Sequence, residues 1–182
     1  EGMVSSGSLW LAAARRVHKG LRHLAALVVP PRPDASRARA VLSPEAWPLF
    51  SALSAVDQQH ALCVLDRLSG QAIPISAPLA QAALLHDCGK AGAGLNVFWR
   101  TASVLLKAVG MLSRLAIPSG PRWRVQLYRQ LHHAERGAVL CEQAHCEPAT
   151  VALVRWHDRT PPGAGMVSIQ DLELLQAADE AC

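Results

Sequence analysis

His86-Asp87-Cys88-Gly89-Lys90, closing the apolar run Ala82-Ala83-Leu84-Leu85, places a histidine and a carboxylate side by side at the end of a buried element. Adjacent His and Asp side chains can grip one metal ion. A nitrogen donor beside a hard oxygen donor suits Mn, Fe, Zn or Mg better than soft Cu(I), and a carboxylate can bridge two ions. His60 lies upstream within a helical pattern, and His133, His157 and Asp179 follow, each beside or within an apolar helix-like run. Together these give six metal-competent side chains in order along the chain.

That order resembles the HD-domain metal-dependent phosphohydrolases, whose pattern is H, then HD, then H, H and D. Asp57-Gln58-Gln59-His60-Ala61-Leu62-Cys63-Val64 looks like the first histidine helix, and Leu84-Leu85-His86-Asp87-Cys88-Gly89-Lys90 looks like the LLHDxGK signature. His133-Ala134-Glu135-Arg136-Gly137-Ala138 is similar to the HPExGA segment, with His132 as the one-residue alternative. Val154-Arg155-Trp156-His157 resembles the next position, and Leu174-Leu175-Gln176-Ala177-Ala178-Asp179 the closing aspartate helix. The likeness covers about 125 residues, from Asp57 to Cys182, and an ordered set is more specific than any one motif.

The resemblance implies an all-α helical bundle and a metal-dependent hydrolase of phosphate esters. His60, His86, Asp87 and Asp179 match the first-metal set, and His133 with His157 matches the second, joined through a bridging Asp87. One or two divalent ions (Mn, Fe, Mg or Zn) would then polarise a phosphoryl oxygen and activate water. Lys90 is expected either to meet a substrate phosphate or to be a solvated helix-end cation favoured by the dipole. Asp158 would orient an imidazole or face water. The implied substrate is a phosphomonoester or phosphodiester, of a nucleotide or another small anionic molecule. Cys88-Gly89-Lys90 replaces the acidic pair of alarmone hydrolases, and the segment after His157 lacks the GYP element of cyclic-di-GMP phosphodiesterases. Two rivals stay open: an HD-fold diiron oxygenase, and a catalytically silent sensor that binds a nucleotide or a membrane.

A chain of 182 residues with 51% hydrophobic content can bury one substantial core. The expected organisation is a basic helical extension and Pro-rich linker over 1–40, then one domain over 41–182. Cys63, Cys88, Cys141, Cys146 and Cys182 form no CxxC pair, and at least three fall inside apolar helical runs where Cys behaves as a small hydrophobe, which implies a reduced, cytoplasmic setting. Cys141, His145 and Cys146 are too few and too irregularly spaced for a structural zinc site.

The net charge is +4, and Arg15, Arg16, Lys19, Arg22, Arg32, Arg37 and Arg39 crowd the first forty residues. Leu9–Val29 is periodic enough for a basic amphipathic helix. Its central charges exclude a membrane span and a secretory signal, which leaves docking on a membrane surface or a partner, or packing on its own domain. Pro30-Pro31-Arg32-Pro33 breaks it. Leu95–Ile117 repeats a positive charge at Arg100, Lys107 and Arg114. It reads as a core helix with a wet stripe, or as a lipid-facing surface through Trp99, Leu105, Leu106, Val109 and Leu112. Trp123, flanked by Arg122 and Arg124, is expected near the site mouth. Nucleic acid is an unlikely partner for a chain with so few aromatic residues, and oligomeric state leaves no trace in the sequence.

Elsewhere helix follows helix. Ser43 with Pro44 predicts a helix over Ala46–Leu53, Asp57 is expected to cap the helix bearing His60, and Pro78 and Gly89 should bracket the element that ends in the His-Asp pair. Ser168 to Asp171 opens the last helix, on which Leu172, Leu175 and Asp179 share a face.

Overall fold

The computed structural model describes residues 33–71, 74–91, 111–161, 163, 165 and 167–182. The basic segment 9–29 and residues 95–110 lie outside them. Among the described residues the fold is all-α, without strands. The helices are α1 (Ser36–Val41), α2 (Trp47–Ser51), α3 (Ala55–Ser69), α4 (Ala77–Leu85), a 3₁₀ turn (Cys88–Lys90), α5 (Leu112–Leu115), α6 (Arg122–Leu131), α7 (His133–Gln143), α8 (Pro148–Trp156) and α9 (Ile169–Ala181).

Helix α4 is the hub. Its sequence is nearly all apolar, and Leu79, Ala82, Ala83, Leu84 and Leu85 are fully buried, as expected of a helix hydrophobic on every side. Helices α1, α2, α3, α8 and α9 pack around it. Each buried leucine contributes about 2 kcal/mol relative to exposure, so the element that presents His86 and Asp87 is held from all directions. Ser76 caps α4, its hydroxyl accepting from the Leu79 amide at 3.2 Å.

Three local expectations are corrected. Ser54, not Asp57, caps α3: its hydroxyl accepts from the Asp57 amide at 3.2 Å and donates to Asp57 Oδ2 at 2.6 Å. Asp57 therefore sits in the first turn, where a carboxylate meets the positive end of the helix. Ser43 caps only a turn, through the Ala46 amide at 3.2 Å, and the helix proper starts at Trp47. Helix α4 stops at Leu85 rather than at Gly89, with His86 as its C-cap. Helix α1 runs through the region of the expected boundary near residue 40, and its Ala38 is fully buried in the main core.

Two of the five cysteines are paired, against the reduced setting expected of them. Cys63 on α3 and Cys182 beyond the last turn of α9 form a disulfide, with Cα atoms 6.0 Å apart. Helices α3 and α9 pack together, which brings side chains 119 positions apart within bonding reach; spacing along the chain carries no sign of such a pair. Cys88, Cys141 and Cys146 are free thiols. Burial and hydrogen bonding among them raise Cys141 and Cys146, the latter to about 12, so these remain neutral packing groups.

Leu112 is buried against Leu127 in a small satellite cluster, which removes it from the lipid-facing surface considered for 95–117. The Arg124 guanidinium donates to the carbonyls of Leu115 and Arg114, tying α6 to α5, and α6 also packs against the 3₁₀ turn. Among the described residues no helix is long and apolar enough to cross a membrane.

Candidate metal centre

Three helix ends deliver three imidazoles in the same way. His86 caps α4, His157 caps α8, and His133 begins α7 directly after the end of α6. A helix C-terminus leaves its last carbonyls without intrahelical partners, and each histidine uses the carbonyl three residues back. His86 Nδ1 donates to Ala83 at 3.0 Å, His133 Nδ1 to Gln130 at 2.8 Å, and His157 Nδ1 to Val154 at 2.7 Å. A carbonyl only accepts, so each Nδ1 carries the proton and each Nε2 presents a lone pair. The backbone thus fixes tautomer and aim, the task that partners of metal-binding histidines perform.

Those lone pairs converge in two groups. Ligand atoms of His60, His86 and Asp179 lie within 4.8 Å of one another, as do those of Asp87, His133 and His157. His60 Nε2 is 2.8 Å from Asp179 Oδ1, and His133 Nε2 is 3.1 Å from His157 Nε2. Asp87 stands between the groups. Its Oδ1 lies 3.4 Å from His133 Nε2 and 3.8 Å from His157 Nε2, while its Oδ2 lies 3.6 Å from His86 Nε2. The six side chains thus gather in two groups, with Asp87 in the second and its other oxygen turned toward the first.

These residues fit a cation. His86 Nε2 is buried and has no hydrogen-bond partner among the described residues, a costly state for a polar atom unless something binds it. His133 and His157 point lone pairs at each other. Burial pushes His133 down to about 4 and also lowers His157, so at neutral pH neither ring holds a second proton to relieve the repulsion. A divalent ion would relieve both conflicts. The donor set of imidazoles and carboxylates suits Zn, Mn or Fe.

The acidic members stay ionised. Burial works to raise Asp87, yet Lys90, His86, His133 and His157 together hold it well below the usual carboxylate range. Asp179 is treated alike: burial opposes ionisation, and the His60 hydrogen bond with His86 overcomes it. Lys90 Nζ contacts Asp87 Oδ2 at 2.6 Å with its side chain 19% exposed, so the solvated helix-end alternative is overturned. Burial would lower its pKa, but Asp87 raises it further, and the ammonium persists.

Exposure is uneven across the groups: the side chains of His86, Asp87 and His157 are at most 4% exposed, those of His60, His133 and Lys90 are slightly more open, and Asp179 is 30% exposed. His133 rather than His132 enters the centre; His132 packs at a tilt against Tyr128 with ring centroids 4.3 Å apart. Asp158 is exposed and acts on His157 only through its charge.

Sequence reading missed the seat beneath the His-Asp turn. A Cβ on Gly89 would lie 1.9 Å from the His133 carbonyl oxygen and 2.8 Å from the Gly137 amide nitrogen. The 3₁₀ turn thus rests directly on the backbone of α7, which only glycine allows. Arg136 Nη1 donates to the Gly89 carbonyl at 2.5 Å and locks the contact. The detectable signal was a glycine in each of two quoted segments, Cys88-Gly89-Lys90 and Arg136-Gly137-Ala138.

Comparison with known proteins identifies no relative: no family model, curated protein or solved structure matches the chain.

Proposed function

We propose that this chain is a metal-dependent phosphohydrolase of the HD-domain kind, cleaving a phosphomonoester or phosphodiester of a nucleotide or other small anionic molecule. The observation that carries the reading is the pair of adjoining His/Asp groups flanking one buried, ionised carboxylate, Asp87. When bound, divalent ions supply a polarised phosphoryl oxygen and a water of lowered pKa.

The residues do the rest. His86, His133 and His157 present preset Nε2 lone pairs, so little reorganisation accompanies ion binding. His60 and Asp179 close the first group from α3 and α9. Asp87 offers one oxygen to each group. Lys90, partly exposed and charged, positions a substrate phosphate oxygen and stabilises negative charge that grows on it. An anionic substrate is the complement of this lysine and of the cations the two groups select.

The test is hydrolysis of an aryl phosphate and its bis-aryl diester by chain loaded with Mn, Fe, Mg or Zn. Cleavage that is lost in the His86→Ala and Asp87→Ala variants, both still folded by circular dichroism, is the expected result. Absence of cleavage under every metal overturns it. Oxygen uptake by the iron-loaded chain would then favour the diiron oxygenase, and nucleotide binding without turnover the silent sensor.

A further inference from the structure

The segments that carry His133 and His157 are joined a second time, by charge. Glu135 stands in the first turn of α7, two residues after His133, while Arg155 and Arg159 stand two residues before and two after His157. Glu135 Oε1 accepts from Arg155 Nη1, and Glu135 Oε2 accepts from Arg159 Nη2 at 2.7 Å. One carboxylate beside one histidine thus uses both oxygens on guanidinium groups that bracket the other. A helix start favours an anion and a helix end a cation, so Glu135 on α7 and Arg155 on α8 each sit where their own helix stabilises them. Arg159 is seated further by the Trp156 ring, whose centroid lies 4.7 Å from its guanidinium carbon.

His133 Nε2 and His157 Nε2 are 3.1 Å apart, each ring with its proton on the far nitrogen, held by a backbone carbonyl. Their facing lone pairs repel, and the bridge pulls the same two segments together. Resting on the metal-centre reading above, we propose that Glu135 is a positioning residue for the second metal group: its bridge to Arg155 and Arg159 keeps the two imidazoles at chelating separation before an ion arrives. An isolated exposed ion pair contributes little, but a carboxylate shared by two guanidinium groups is a network with fixed geometry. The first group draws His60, His86 and Asp179 from α3, the end of α4 and α9, which carry neither Glu135 nor its partners.

Glu142 supplies an internal contrast. It accepts from Arg155 Nη2 at 2.8 Å and so also links α7 to α8. It lies nine residues beyond His133 on α7, however, and reaches the chain on one side of His157. Losing it removes an ion pair of the same kind between the same helices without releasing the bracket around His157.

The experiment compares the full chain with its Glu135→Ala, Glu135→Gln and Glu142→Ala variants by calorimetric titration with Mn(II). Loss of a group that orients metal-binding histidines lowers affinity about 10- to 100-fold. Glu135→Ala should therefore weaken one of two ions by at least about tenfold and leave the other at its wild-type affinity. Glu135→Gln keeps the side chain's bulk and one acceptor oxygen, and should fall between. Glu142→Ala should bind both ions as the wild type does. Wild-type affinity for both ions in Glu135→Ala, parallel weakening of both, or an equal loss in Glu142→Ala each overturns the positioning role. A wild-type chain that binds no Mn(II) is a separate failure: it removes the metal centre, and the positioning role with it. Should Glu135→Ala fail to fold, Glu135→Gln decides on the same criterion.

Discussion

Replacing Gly89 by alanine pushes a methyl group into backbone. The added Cβ would stand 1.9 Å from the His133 carbonyl oxygen, where real Cβ contacts essentially never fall below 3.0 Å, so the 3₁₀ turn and the start of α7 must separate by at least 1.1 Å (3.0 minus 1.9). Neither side yields easily: the turn follows the buried hub helix, and α7 is pinned by Arg136 donating to Gly89 itself. Overpacking of this sort costs about 1–3 kcal/mol, toward the upper end where backbone meets backbone. The larger effect falls on the site. His133 Nε2 is 3.4 Å from Asp87 Oδ1 across this contact, and metal–ligand distances tolerate only about 0.2 Å. Gly89→Ala should therefore lose the second ion while keeping the first, whose His60 and Asp179 come from α3 and α9. Urea unfolding measures the stability and Mn(II) titration the stoichiometry. A variant with wild-type stability and two ions per chain would refute the close approach of these segments.

Other outcomes follow from the charges and caps. In the metal-free chain, His133 titrates at about 4 against an ordinary value of 6.5, so between these the unfolded chain binds more protons and stability falls as pH drops through that window. At about 1.4 kcal/mol per unit His133 alone contributes roughly 3 kcal/mol, and the lowered His86 and His157 act in the same direction. Unfolding midpoints across that range should show it, and a flat profile would contradict the neutral, buried imidazoles. Lys90→Met strips Asp87 of its 2.6 Å partner and should destabilise the metal-free chain by about 3 kcal/mol. Saturating Mn(II) should restore much of that loss, because a cation again neutralises the carboxylate; no recovery would count against Asp87 as a ligand. Ser54→Ala removes the cap of the helix bearing His60, with an expected cost of about 1 kcal/mol in the same denaturant assay.

What could be read in advance was local chemistry repeated along the chain. The apolar run before His86 announced a buried helix, and the spacing of Leu62, Leu65 and Leu68 announced the inward face of α3; all are buried. The six candidate ligands were legible because their order matched a known pattern, and they do converge in two groups. Illegible were contacts between distant segments. Nothing near Gly89 reveals that His133 lies against it, and nothing near Cys63 reveals Cys182, because pairing depends on how α3, α7 and α9 pack. The position of Lys90 was also beyond reach: a lysine after a helix end usually faces water, and only the buried carboxylate one turn back draws it inward. Caps shifted by a few residues because Ser54 and Asp57 both suit a helix start, and Ser54 holds the extended backbone that a cap requires.

The most direct test of the central claim is the electron paramagnetic resonance spectrum of the oxidised chain titrated with Mn(II). Two adjoining groups that share Asp87 predict two ions per chain and a spin-coupled pair, with the coupling lost in Asp87→Ala. A chain that binds no Mn(II), or ions that remain magnetically independent at saturation, would contradict it.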